Sequence, residues 1–264
     1  MKRAHRLGAG VVASLVLALP ARAQLFAGDY PTAENYRLRL EYREYRPSLS
    51  GDVQKGFGDD EGTLVDVEDD LGFADDRTFE ARATIQIARG HKLRASYTPL
   101  EYAGNVARAR RTFTFGQTTY ERFTQVVSTF KGGYYAGAYE WDFVKGSKGY
   151  LGAFAGGAFL DFDATLVAVE ANAREQEEIR SPVPLVGATA RVYSGRLSLQ
   201  AELSGISAGS RGKIIEVEAS ARLHLSDRLA AMGGYRSLAV DGRDGRDRAD
   251  LRLKGWQFGI EIGL

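Results

Sequence analysis

Only a few side chains in this sequence could support catalysis. The 264 residues contain no cysteine and three histidines, of which His91 and His224 lie beyond the first 23 positions. A hydrolase needs a nucleophile, a base and an orienting group within hydrogen-bond reach. In the stretch "IIEVEASARLHL", Glu218, Ser220 and His224 share one parity. On a strand, same-face neighbours lie about 7 Å apart, so Ser220 and His224 would sit at about twice that spacing, out of reach. His91 falls in a short turn. Neither histidine is therefore expected to catalyse, and a lipid-modifying hydrolase is the weakest functional reading. Without cysteine there is no disulfide, thiolate metal site or acylation site. No cofactor is implied.

A second candidate is acidic. Residues 48–77 carry "GDDEG", "DVEDD" and "ADD". Asp66, Glu68, Asp69 and Asp70 offer oxygen ligands suited to a hard cation such as Ca²⁺, but their spacing is not that of an EF-hand loop. Composition favours a solvated loop. The basic run "ARARR" (107–111) is nonspecific on its own.

The densest pattern of charge is alternating. Arg37, Arg39, Glu41 and Arg43 alternate with Tyr36, Leu38, Leu40 and Tyr42. Glu80 and Arg82 alternate with Phe79, Ala81 and Ala83, and Arg94 with Leu93 and Ala95. Arg191, Glu202, Glu216, Glu218, Arg222, Arg236 and Glu261 recur in the same way, as does Glu140. Period two is the signature of strands with two unlike faces. The polar face is rich in Arg and Glu and nearly free of Lys. That suits a confined interior, where a planar guanidinium can hold two carboxylates at once.

The elements that must position these residues are ten strands, expected at roughly 35–47, 78–88, 91–103, 122–144, 149–168, 183–193, 196–208, 213–225, 228–239 and 249–264. Eight or twelve strands stay open, because the division of 104–168 is uncertain. Gly156-Gly157 marks an expected bulge where parity slips. Connectors near 89–91, 145–148, 194–195 and 226–228 are short. The others are mostly longer, at 48–77, 104–121, 169–182 and 240–248, with the short "AGSRG" near 208–212 as the exception, and long and short connectors on opposite ends are the layout of outer-membrane barrels. Tyr36, Phe143, Tyr150 and Tyr193 near the short turns, and Phe79, Tyr235 and Trp256 towards the other end, suit aromatic girdles. The fold class is all-β: a transmembrane, antiparallel, up-and-down barrel of about ten strands.

The chain begins with a basic "MKRAHR", an apolar stretch and "ARA" before Gln24, the pattern of a secretory signal peptide spanning 1–23. Residues 24–264 then form one barrel domain. Removing Lys2, Arg3, Arg6 and Arg22 from 35 bases leaves 31 against 34 acids, a net of −3, which does not favour nucleic acid.

The ending "GWQFGIEIGL" places Trp256, Phe258, Ile260, Ile262 and Leu264 on one face. It resembles the terminal strand by which small bacterial outer-membrane β-barrel proteins are recognised by the barrel-assembly machinery, although that family usually ends in Phe or Trp. "GTLVDVEDDLGF" and "HKLRASYTPLEYAG" look like stretches of uncharacterised proteobacterial barrels. The resemblance implies topology, a Gram-negative outer-membrane location and lipid and lipopolysaccharide as surroundings, but no activity. A monomer with a charge-filled lumen and a structural or surface-interaction role through its long loops is expected, with a narrow channel for ions or small solutes as the alternative. Glu261 is expected to meet Arg37 or Arg39 across the closing seam.

Overall fold

A computed structural model describes residues 34, 36–73, 77–106, 108–170, 173–207 and 212–264. Residues 1–23, expected as a signal peptide, lie outside the described residues, as do Ala74, Asp75 and Asp76 of the acidic loop. The described chain holds strands β1 (Leu38–Gln54), β2 (Val65–Asp66), β3 (Thr78–Ala88), β4 (His91–Val106), β5 (Phe113–Phe115), β6 (Thr118–Tyr120) and β7 (Val126–Gly146). There follow β8 (Gly149–Ala168), β9 (Ala173–Ser194), β10 (Leu197–Ser207), β11 (Gly212–His224), β12 (Leu229–Asp244) and β13 (Asp247–Gly263).

Ten of these, β1, β3, β4 and β7 to β13, pair antiparallel with their sequence neighbours, and β13 returns to β1. The seam is long, from Arg39↔Gly263 to Gln54↔Arg248. Closure leaves no unpaired edge, the condition for strands to cross hydrocarbon. Outward residues are apolar and bare: Leu199, Leu203, Trp256 and Phe258 are each more than half exposed. Such a face suits lipid, and the buried residues of the alternate parity face the lumen. No helix among the described residues is long and apolar enough to cross a membrane, which says nothing about a β-barrel.

At one end the strands are joined tightly, at Arg89-Gly90, Ser147-Lys148, Gly195-Arg196 and Leu225–Arg228. Gly195 takes φ 56°, the left-handed conformation that a two-residue hairpin turn demands. Two expectations change. Residues 173–182 and 240–248 are mostly strand rather than loop, so β9, β12 and β13 run beyond the expected limits. Gly156-Gly157 is not a bulge: its pairing with Ala138 and Gly137 is continuous. A side chain at Gly156 would place its Cβ 2.0 Å from the Gly137 carbonyl, so glycine there serves close strand approach. The register shifts fall instead at Gln86/Ala88 and Asp142/Val144.

The 48–77 segment is built into the molecule. β2 pairs with β1, and the β5–β6 hairpin lies alongside, with Thr63 N donating to Thr114 O at 2.8 Å. Val65, Val67 and Leu71 join Ala109, Phe113 and Tyr120 in one apolar cluster with the inward residues Leu49, Tyr102, Leu166 and Leu253. The alternation of "TLVDV" carries this: Val65 and Val67 are buried under the mouth, while Leu64 is exposed and Asp66 half-buried on the other parity.

Candidate functional site: a two-storey barrel interior

The lower storey, nearer the tight turns, is one connected ion-pair network. Arg82 reaches three carboxylates: Nε to Glu80 at 2.9 Å, Nη1 to Glu202 at 2.8 Å and Nη2 to Glu218 at 3.3 Å. Arg94 bridges Glu140 at 2.9 Å and Glu202 at 2.5 Å. Arg43 holds Glu218 at 2.6 Å and also contacts Glu41. Arg236 joins Glu216 at 2.6 Å and Glu80. Glu41–Arg43 and Glu80–Arg82 lie on one strand, but Arg43 and Arg82 also reach Glu218, Arg82 and Arg94 reach Glu202, and Arg236 reaches Glu80, so these contacts knit the wall across the lumen. A planar guanidinium with five donors is the group that can do this.

Glu261 lies deep in the network, but not where the seam suggested. It accepts two bonds from Arg191, at 2.8 and 2.9 Å, and one from Arg222 Nε at 2.6 Å. Its register neighbour on β1 is Glu41, a like charge, so its counter-charges come from β9 and β11. Gly259 stands opposite Arg43 in the seam, where a Cβ would lie 2.0 Å from the Tyr42 carbonyl oxygen, so glycine serves the close approach of β13 to β1.

Arg37 departs from the expected set. It is exposed on the rim. The amides of Arg37 and Leu38 both donate to Leu264 O, at 2.7 and 3.0 Å, which breaks the alternation as the strand begins. Tyr36 consequently turns inward. Its hydroxyl donates to Glu34 at 2.7 Å, and its ring lies 4.9 Å from the Arg39 guanidinium carbon. Tyr150 and Tyr193 are also buried inside, so these three tyrosines are lumen residues rather than an outer girdle.

Sequence reasoning missed Lys92. Its ammonium is fully buried, with Glu34, Asp142 and Glu140 at 2.8, 2.8 and 2.9 Å and the Tyr150 ring centroid 3.8 Å away. Lys92 shares parity with Arg94, and that was the available signal.

His224 is within reach of a serine, though not Ser220. Its Nε2 lies 2.9 Å from Ser198 Oγ. Arg191 donates to the same Oγ from Nε and Nη2, at 3.2 and 3.0 Å. With both lone pairs engaged and both residues buried, this hydroxyl is held as a strut within the network. Chemically, the pair orients Arg191 towards Glu261.

The upper storey is apolar, closed by the cluster described above. Phe130 and Phe162 stack at 4.7 Å and Phe113 and Tyr120 at 4.9 Å. The acidic loop is tied over it. Asp66 Oδ1 accepts from the amides of Glu68 and Asp69, at 2.9 and 2.7 Å. Asp69 meets Arg110 at 2.8 Å, and Asp70 meets Arg111 at 2.5 Å. The four acids proposed for a cation are thus arranged as a turn facing "ARARR", and no group of three ligand-type residues is gathered among the described residues. Burial raises the Asp70 carboxyl, but the hydrogen bonds from Arg111 and the Asp66 amide, with the charges of Arg111 and Arg110, together outweigh it and hold the pKa below the usual carboxylate range.

Of the expected assembly face, Trp256, Phe258, Ile260 and Leu264 are exposed, whereas Ile262 is buried between Leu40 and Leu229 in the register.

A closed ten-stranded antiparallel wall, bare and apolar outside and charged within, is the fold of bacterial outer-membrane barrels. No protein-family profile matches the chain, and no curated protein matches it in sequence. Among solved structures, the outer membrane protease OmpT of Escherichia coli superposes with a TM-score of 0.51 at 9% identity, over 86% of this chain and 96% of that one. Neisserial surface protein A gives 0.37 at 10% identity, over 88% and 100% of the two chains. Ail, the attachment invasion locus protein of Yersinia pestis, gives 0.35 at 8%, over 86% and 96%. The likeness to the protease shows the shared fold and nothing of its chemistry.

Proposed function

We propose that the chain is a monomeric, non-conducting barrel of a Gram-negative outer membrane, exported by cleavage after Ala23, which presents its outer end to the surroundings. One observation carries this reading: the lumen is occupied at both levels, by ion pairs below and by an apolar, loop-covered cluster above, and the cavity lined by Arg82, Arg94, Tyr134 and Glu216 holds only about 50 Å³. A small barrel leaves little more than side-chain room, and here that room is used. The barrel-assembly machinery and the lipids of the membrane are its expected contacts. The outer end also displays Phe57, Leu64 and Phe123 at 56%, 47% and 60% exposure, on connectors beyond the lipid-facing band. Exposed aromatic residues are the side chains from which interaction hot spots are made, which favours a surface-interaction role over pure structure. Neither storey supplies an accessible nucleophile, so this reading assigns no catalytic step.

Single-channel recording of purified protein in planar bilayers tests it. The expected trace is silent. Steady openings whose conductance changes on charge reversal at Arg39 or Arg82 would replace this reading with that of a narrow channel.

A further inference from the structure

At one end of the barrel each hairpin turn carries an exposed base. Arg89, Lys148, Arg196 and Arg228 occupy the four turns there, and Arg37 stands beside them where β1 begins. The only acid in those turns is Asp227, which lies 3.8 Å from Arg228. This rim is therefore strongly basic, although the chain beyond residue 23 has a slight excess of acid. The opposite end is mixed, with the acidic turn and "ARARR" facing one another.

The bases do not stand alone in water. Next to them on the outer wall are bare apolar side chains: Trp141 at 52% exposure, Phe143 at 48%, Leu197 at 52% and Leu225 at 49%. Trp141 pairs in register with His91, two residues from Arg89, and packs edge-to-face on Phe143. An aromatic belt next to a ring of cations reproduces the depth profile of a leaflet, with ring at the interface and cation at the phosphate. A soluble acidic partner would not require that apolar border.

We propose that the tight-turn rim is a binding surface for anionic phospholipid headgroups, which it selects over zwitterionic ones in the leaflet at that end. The inference rests on the membrane-barrel reading. Each base attracts the phosphate without a dedicated pocket, so the selectivity is cumulative and weakens with salt.

The two tryptophans of the chain, Trp141 and Trp256, make this measurable, because Trp141 lies beside the tight turns and Trp256 lies midway along β13, farther from them. Protein carrying Trp256→Phe is reconstituted in phosphatidylcholine vesicles containing brominated phosphatidylglycerol or brominated phosphatidylcholine. Quenching then reports the lipid next to Trp141; a Trp141→Phe protein reports the lipid next to Trp256. We expect a preference for phosphatidylglycerol of about threefold or more at Trp141. It should fall to near unity in the Arg89→Ser, Lys148→Ser, Arg196→Ser, Arg228→Ser protein and in high salt. Equal quenching by both lipids at Trp141 overturns the proposal while leaving the barrel intact. So does a preference that survives the four substitutions, or one confined to Trp256. Quenching by neither lipid at either tryptophan would overturn the membrane reading itself, and this proposal with it.

Discussion

Charged residues in the lumen are stable only as a set. Each guanidinium is matched by carboxylates from other strands, and removing one partner leaves a buried charge uncompensated, at a cost of about 3–5 kcal/mol. Glu261→Gln is the sharpest case, because Arg191 and Arg222 would then face each other without their shared counter-ion. The expected outcome is a loss of about that size in urea unfolding of the detergent-folded barrel. Replacing Glu261 and Arg191 together by methionine should cost less than the sum of the two single changes, since neighbours in one network are not additive. Strict additivity would show that the pair does not act as a unit. At this scale the sequence was legible by parity: Arg39, Arg43, Arg82, Arg222 and Arg236 are all buried as their alternation implied. Partner choice was not legible. Glu261 meets Arg191 and Arg222 because barrel curvature brings β9, β11 and β13 to a common axis, a relation that no local spacing encodes.

Among the elements, the outer connectors differ most from their composition. The acidic segment looks like a solvated loop, yet its alternating Val65, Val67 and Leu71 close the mouth while its acids are latched by Arg110 and Arg111. The latch has a pH dependence whose sign is fixed. Because the Asp70 carboxyl is held below its usual value, its contribution is fully present above about pH 4, the ordinary carboxylate range, and is lost as pH falls through the lowered value. The ion pair is partly exposed through Arg111, so the effect is about 1 kcal/mol or less. Hydrogen exchange of residues 63–73, corrected for intrinsic rates, should accelerate a few-fold between pH 6 and pH 3. Asp70→Asn should show the faster exchange already at pH 6; unchanged protection would mean that the apolar cluster alone holds the lid. The lengthened β9 was hidden for a related reason. Residues 173–182 are charged and read as loop, but cross-strand hydrogen bonding continues past the apolar band into water, where composition no longer marks a strand.

The whole molecule is defined by closure. β1 and β13 pair over their full length, and Trp256, Phe258 and Ile260 line the outer side of that seam. Phe258→Arg puts a charge on the lipid face, at a cost of about 2–4 kcal/mol if it lies near the bilayer midplane. We expect less folded protein in the membrane fraction and a weaker difference in gel mobility between boiled and unboiled samples. Normal assembly of this variant would move Phe258 out of the lipid band.

The sequence by itself determined the strand period, which face is charged, the closed all-β class and the four tight turns at 89–90, 147–148, 195–196 and 225–228, because these follow from alternation and turn chemistry within a few residues. Only the tertiary structure decided that Arg37 lies outside and Tyr36 inside, that Lys92 is buried among three carboxylates, and that the loops seal an apolar upper storey. Those outcomes depend on where ten curved strands converge and on how the first strand meets the last carbonyl, contacts between residues far apart in the chain. Their energies come from burial and charge pairing in three dimensions, and a local pattern carries no record of them.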